Sequence, residues 1–175
     1  MRHAKSSGFS LLEVLITVLL ITVGVLGMVA MQGRGIQYSI DSVERTHAAT
    51  LANELMEIIR ATPSAVLDNP DNSPLLFSSL PAGNSSTCFN IAANALVTEQ
   101  VGCWASRVRA LLPDADTLSA NFVSCLSTTP GVCDSNGSAL EIRMAWNASG
   151  EGCLSAAADA ELDDRLCTIS FRTQI

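Results

Sequence analysis

Ser7-Gly8-Phe9-Ser10-Leu11-Leu12-Glu13-Val14-Leu15-Ile16 opens a run that continues, from Val14 to Gly33, for 20 residues without a charge. At about 1.5 Å per residue, a helix of that length spans about 30 Å, one hydrocarbon core. The flank before it is basic, with Arg2 and Lys5. The positive-inside rule keeps that end in the cytoplasm and puts the rest of the chain outside. Two ordinary readings compete. A secretory signal peptide has an apolar region of about 7–15 residues followed by a small-x-small site, and this run is longer. A plain membrane anchor leaves Glu13 unexplained, because a carboxylate inside a spanning helix costs roughly 2.5–3.5 kcal/mol or more. An ionisable residue there is read as a functional site.

Outward from this segment the composition changes. The chain has 175 residues, enough for one domain plus an extension. Its mean hydropathy of +0.32 owes much to the one apolar run. The formal charge is −7, and loss of residues 1–8 would remove Arg2 and Lys5 and take it to −9. An acidic head argues against nucleic acid or an anionic membrane surface as its partner.

All six cysteines, Cys88, Cys103, Cys125, Cys133, Cys153 and Cys167, follow the apolar run, and none sits in a CxxC pair. An even count on the outer side of a membrane points to disulfides rather than zinc or redox chemistry. Six cysteines allow 15 pairings, and sequence alone does not choose among them. The pairing adopted as an expectation is Cys88–Cys103, Cys125–Cys133 and Cys153–Cys167, each closing a local loop.

Beyond Gly33 the pattern turns amphipathic. Ile36, Ile40, Val43, His47, Leu51, Leu55 and Ile58 recur at three- and four-residue steps and predict one helical stripe. Asp41, Glu44, Arg45, Glu54 and Glu57 fall mostly off it. His47 reads as a packed helix residue rather than a ligand. Pro63 disfavours helix at Thr62, so the helix should end near Ala61. Residues 9–61 thus read as one long helix, weakened at Gly24, Gly27, Gly33 and Gly35, where either small-residue packing or bending is expected.

Residues 62–87 read as loop, with Pro63, Pro70, Pro74 and Pro81. A helix is predicted over roughly Asn94 to Leu112, burying Val97, Val101, Trp104, Val108 and Leu111 and closed by Pro113. Strands are predicted at Ser119–Leu126, Ala139–Trp146 and Leu166–Thr173. In the second, Leu140, Ile142, Met144 and Trp146 share one face, and Glu141, Arg143 and Ala145 the other. Trp104 and Trp146 read as core rather than as a binding platform. Asp114 and Asp116 lack a ligand loop, and the run Asp159, Glu161, Asp163, Asp164 lacks a turn glycine, so a solvated acidic surface is preferred over calcium. No phosphate-binding glycine loop appears. The head contains no histidine, which excludes Ser-His-Asp and Cys-His mechanisms there. No catalytic residue, metal or cofactor is expected, and the protein is read as a non-enzyme.

The stretch Ser7–Ile16 resembles the class III signal of type IV pilins and type II secretion pseudopilins. The resemblance implies that a prepilin peptidase cuts between Gly8 and Phe9 and that Phe9 is N-methylated. It also implies that Glu13 neutralises the Phe9 ammonium of a neighbouring subunit during assembly. Thr22–Ser39 (TVGVLGMVAMQGRGIQYS), Leu55–Ser64 (LMEIIRATPS), Val108–Pro113 (VRALLP) and the C-terminal Cys167-Thr-Ile-Ser-Phe171 are similar to PilV-type minor pilins.

The expected fold is α+β, pilin-like: a long N-terminal helix, half transmembrane and half amphipathic, packed on a small antiparallel sheet. The expected division is a leader at 1–8, a helix at 9–61 (transmembrane about 9–33, stalk 36–61) and a periplasmic head at 62–175. The resemblance implies a minor pilin of the type IV pilus, held in the inner membrane by a single pass and later incorporated into the pilus. Its expected partners are other minor pilins, the major pilin, the prepilin peptidase, the inner-membrane assembly platform and membrane lipid, with no nucleic acid. A minor pseudopilin of type II secretion, or a membrane-tethered binding module, is the alternative.

Overall fold

The computed structural model describes residues 10–84, 88, 96–134, 137–149, 153 and 165–174. Its elements run α1 (Leu11–Ala61), α2 (Ser64–Leu67), α3 (Val97–Leu111), β1 (Val123–Ser127), β2 (Ala139–Asn147) and β3 (Leu166–Gln174). Short 3-10 turns occupy Pro70–Asn72 and Ser119–Asn121. The chain divides between Ser39 and Ile40 into two compact units. The architecture is α+β and pilin-like, with a long N-terminal apolar helix and a three-stranded antiparallel sheet.

Local chemistry sets the ends of α1. The Ser10 hydroxyl accepts a bond from the Leu12 N–H at 3.3 Å, capping one of the helix's orphan donors. At the other end the Thr62 hydroxyl donates to the Ile58 carbonyl at 2.9 Å, and Pro63 follows. The helix runs unbroken through Gly24, Gly27, Gly33 and Gly35.

In the second unit, Ala48, Leu51, Ala52, Leu55 and Ile59 of α1 join Val101, Trp104, Ala105 and Val108 of α3 in one core. Phe122, Leu140, Ile142, Met144 and Trp146 complete it from the sheet side. The Trp104 indole N–H donates to the Leu51 carbonyl at 2.8 Å, which satisfies a polar atom that would otherwise be stranded among apolar side chains. Arg107 of α3 makes a two-pronged ion pair with Glu54 of α1, with Nε donating to Oε2 at 3.3 Å and Nη2 to Oε1. Glycine at 102 permits a close approach: a Cβ there would lie 3.1 Å from the Asn84 Cβ, and the Gly102 carbonyl accepts the Asn84 N–H at 3.0 Å.

The sheet order is β1-β2-β3, with Val123 opposite Arg143 and Asn147 opposite Leu166. Disulfides join Cys88 to Cys103, Cys125 to Cys133 and Cys153 to Cys167.

Several expectations need correction. The predicted strand Ser119–Leu126 begins as a 3-10 turn and becomes extended only from Val123. The predicted loop 62–87 contains the single helical turn α2 and the turn at Pro70–Asn72. In α3, Leu112 rather than Leu111 enters the core, because the helix ends at Leu111 and the chain turns there. Asn94 and Ala95 lie outside the described residues. Both faces of β2 are largely buried. Glu141 and Ala145 on its second face are buried as fully as its apolar face. The Glu141 carboxylate accepts the Gly131 N–H at 2.8 and 3.0 Å, so the segment after β1 folds over that face.

Candidate assembly segment and the buried acids of the stalk

In the first unit every described residue from Ser10 to Ser39 is exposed. Leu11, Leu12, Val14, Leu15, Ile16, Val18 and their successors through Met31 present apolar side chains on all sides of the helix. A helix apolar all round is matched to lipid or to neighbouring helices, not to water. It is long and apolar enough to cross a membrane. The two threonine hydroxyls of the apolar run are satisfied internally. The Thr17 hydroxyl donates to the Val14 carbonyl at 2.9 Å, and the Thr22 hydroxyl to the Leu19 carbonyl at 2.8 Å. Such back-bonding lets hydroxyls enter an apolar medium at little cost. Among the described residues a Cβ added at Gly24, Gly27, Gly33 or Gly35 meets nothing within 4 Å, so their smallness serves no packing there.

Glu13 stands in the first turn of α1, and its own N–H bonds to the Ser10 carbonyl at 3.0 Å. The positive end of the helix dipole favours an anion there. No other acidic residue occurs between Ser10 and Ser39. Gly8 and Phe9, the expected cleavage and methylation positions, lie outside the described residues.

The second unit holds two carboxylates that the sequence pattern assigned to solvent. The expected stripe holds at Leu51 and Leu55, but Ile36, Ile40 and Val43 are exposed. His47 is half-buried. The buried stripe instead runs Asp41, Glu44, Ala48, Leu51, Leu55 and Ile59. Asp41 and Glu44 are each only 6% exposed. The head supplies the donors that make this tolerable. The Trp146 indole N–H reaches Asp41 Oδ1 at 3.4 Å, and the Ser149 hydroxyl donates to Glu44 Oε1 at 3.0 Å. Glu44 Oε2 is buried without a hydrogen bond. Burial raises the Glu44 pKa above 4.5, the Ser149 hydrogen bond partly opposes this, and the neighbouring Asp41 charge adds to it. A signal for this stripe was present. The steps from Asp41 to Glu44, Ala48, Leu51 and Leu55 alternate three and four, in register with the leucines. Apolar content at Ile40 and Val43 concealed it.

The six cysteines are all bonded, and the three pairs lie in the second unit. Among the described residues no group of three or more acidic, histidine or cysteine side chains is arranged to hold a metal ion.

Comparison with known proteins places the first unit. The model of the prokaryotic N-terminal methylation motif matches residues 3–29. It supports a type IV pilin-like precursor, of pilin or pseudopilin type. The motif belongs to structural rather than enzymatic proteins, and it implies processing by a prepilin peptidase and assembly with other pilins. With the exposed apolar helix, it fits a membrane-anchored protein that enters a pilus. No curated protein and no solved structure matches the chain.

Proposed function

We propose that this chain is a minor pilin that helps initiate the type IV pilus within a complex of minor pilins. The observation that supports this reading best is Glu13: one carboxylate in the first turn of an exposed helical segment that carries no other acidic residue through Ser39, inside the matched methylation motif. The similarity of residues 22–39 and 55–64 to PilV-type minor pilins narrows the reading from pilin or pseudopilin to minor pilin.

The mechanism follows from charge and depth. The leader, residues 1–8, is removed after Gly8, and Phe9 becomes the methylated N-terminus. The transmembrane half of the helix holds the chain in the inner membrane with its N-terminus cytoplasmic and its head periplasmic. A carboxylate at this depth needs a partner. The Phe9 ammonium of an adjacent subunit supplies one once helices bundle. The pairing sets axial register, while the apolar helix supplies the packing. Other minor pilins, the major pilin and the inner-membrane assembly platform are the partners this requires.

Intact-mass measurement on membrane-extracted protein and on sheared filaments tests both processing and membership. The expected mass begins at N-methyl-Phe9 in both fractions. A chain still starting at Met1, in cells with an active prepilin peptidase, overturns the reading. Glu13→Gln preserves shape and removes charge. It should leave insertion, cleavage and disulfides intact while reducing the protein in filaments and the number of filaments. Normal piliation with that variant would make the tethered binding module the better reading. A processed chain that is absent from pili, and whose loss stops secretion, would instead indicate a type II pseudopilin.

A further inference from the structure

The two edges of the sheet are finished differently. On the outer side of β1, Phe77 and Ser124 exchange both backbone bonds at 2.8 Å, and the Asp134 N–H donates to the Leu126 carbonyl at 2.8 Å. That edge is covered. On β3 the Ala148 N–H donates to the Arg165 carbonyl at 2.8 Å, one step beyond the Asn147–Leu166 pair. The alternation of an antiparallel ladder then commits Cys167, Ile169, Phe171 and Thr173 to β2 and turns the backbone groups of Leu166, Thr168, Ser170, Arg172 and Gln174 outward. Among the described residues, none of the outward groups at Thr168, Ser170, Arg172 and Gln174 has a backbone partner.

Among the described residues this edge carries little of the usual protection. It is nine residues long and contains no proline, lysine, aspartate or glutamate. Natural sheets normally blunt such an edge. Its one charge, Arg172, is already engaged, donating through Nη2 to the Ser127 carbonyl at 3.2 Å and the Thr128 carbonyl at 2.6 Å. Ile169 and Phe171, on the face turned to the core, are only half-buried.

We propose that β3 is a pairing edge for the β3 of a second copy of this chain, joined antiparallel about Ser170. In that register Thr168 lies opposite Arg172 and Leu166 opposite Gln174, so outward backbone groups meet outward groups at five positions. Ile169 lies beside Phe171, a β-branched and aromatic pair of the kind that stabilises adjacent strands. Charge selects the site. Each copy has a formal charge of −7, and two such chains meet best along a strand without carboxylates. The single arginine falls against threonine, not against its own counterpart. The contact is isologous and closes at two copies. It stands independently of the filament role.

Cysteine scanning of the full-length chain in its membrane tests the pairing. In Ser170→Cys the two introduced residues face each other at a Cα separation of about 5.5 Å, within disulfide range. In Thr168→Cys the like positions are four residues out of register, about 14 Å apart. The expected result is a dimer, abolished by reductant, with Ser170→Cys and its loss with Thr168→Cys. Co-expression of a Thr168→Cys chain with a differently tagged Arg172→Cys chain should restore a mixed dimer. Equal dimer at 168 and 170 alone would mean random collision and overturn the proposal. So would the absence of cross-links in all three arms. A Ser170→Cys adduct with a protein of different mass would show that an unlike subunit occupies the edge, and would overturn it too.

Discussion

The helix α1 contains two stretches in which burial does not follow from polarity alone. Between Leu11 and Met31 the side chains are almost all apolar, and all are exposed. Between Asp41 and Ile59 the helix is mixed, and two carboxylates are among its buried residues. Hydropathy alone therefore misplaces the whole of the first stretch and the two acids of the second. The first is exposed at every described residue, so its apolar surface is matched to lipid or to other helices. The second has a head whose indole and hydroxyl donors admit acids into the buried stripe. One stretch is built for contacts outside the chain and the other for folding.

Truncation should separate the two stretches most sharply. Leu55 is fully buried, and Leu55→Ala should cost about 2–5 kcal/mol by loss of burial and creation of a cavity. Leu19 is exposed, and Leu19→Ala should leave head stability unchanged. Denaturant unfolding of the detergent-extracted chain, followed by tryptophan fluorescence, compares them directly. Equal losses would mean that the first stretch also contributes to the fold of the head.

The disulfides sharpen the contrast from the other side, since all three lie in the second unit. Cys153 and Cys167 are 14 residues apart. In the chain-entropy model a loop of that length contributes about 3 kcal/mol. Replacing both with serine should lower head stability by an amount of that order and leave membrane insertion unaffected. Non-reducing peptide mapping of the unaltered chain should recover the three local pairs. Crossed pairs or free thiols would refute the arrangement.

Much of this fold could be read from residue pattern. The end of α1 near Ala61 follows from Pro63, β2 and β3 from strict alternation, and α3 from its apolar spacing closed by Pro113. The misplaced acids share one physical origin. Alternation at Glu141 and amphipathicity at Asp41 and Glu44 both predict solvent for a carboxylate. Asp41 and Glu44 instead meet donors brought from far along the chain, Trp146 and Ser149, and Glu141 meets the Gly131 N–H of the segment after β1. A local pattern cannot register a long-range hydrogen bond. The apolar segment was more legible, because an uncharged run from Val14 to Gly33 is itself a local signal.

The smallest effect tests the buried acids. Glu44 has one oxygen bonded to Ser149 and the other without a partner. Desolvation, with a smaller addition from Asp41, holds its folded pKa above the unfolded value of 4.5. The folded state therefore binds the proton more tightly than the unfolded state. The stabilisation this provides is complete below about pH 4.5 and is lost as pH rises through the raised folded value. At neutral pH the ionised carboxylate is a net liability to the head. Glu44→Gln keeps an acceptor for Ser149 and removes the charge, so it should stabilise the head at pH 7 and lose that advantage as pH falls to about 4.5. Parallel denaturant titrations of the two proteins at pH 4.5 and pH 7 measure the difference. A variant less stable than the parent at pH 7 would show that the Glu44 charge is compensated in the folded head. The second stretch of α1 would then bury its acids for a favourable interaction rather than tolerate them.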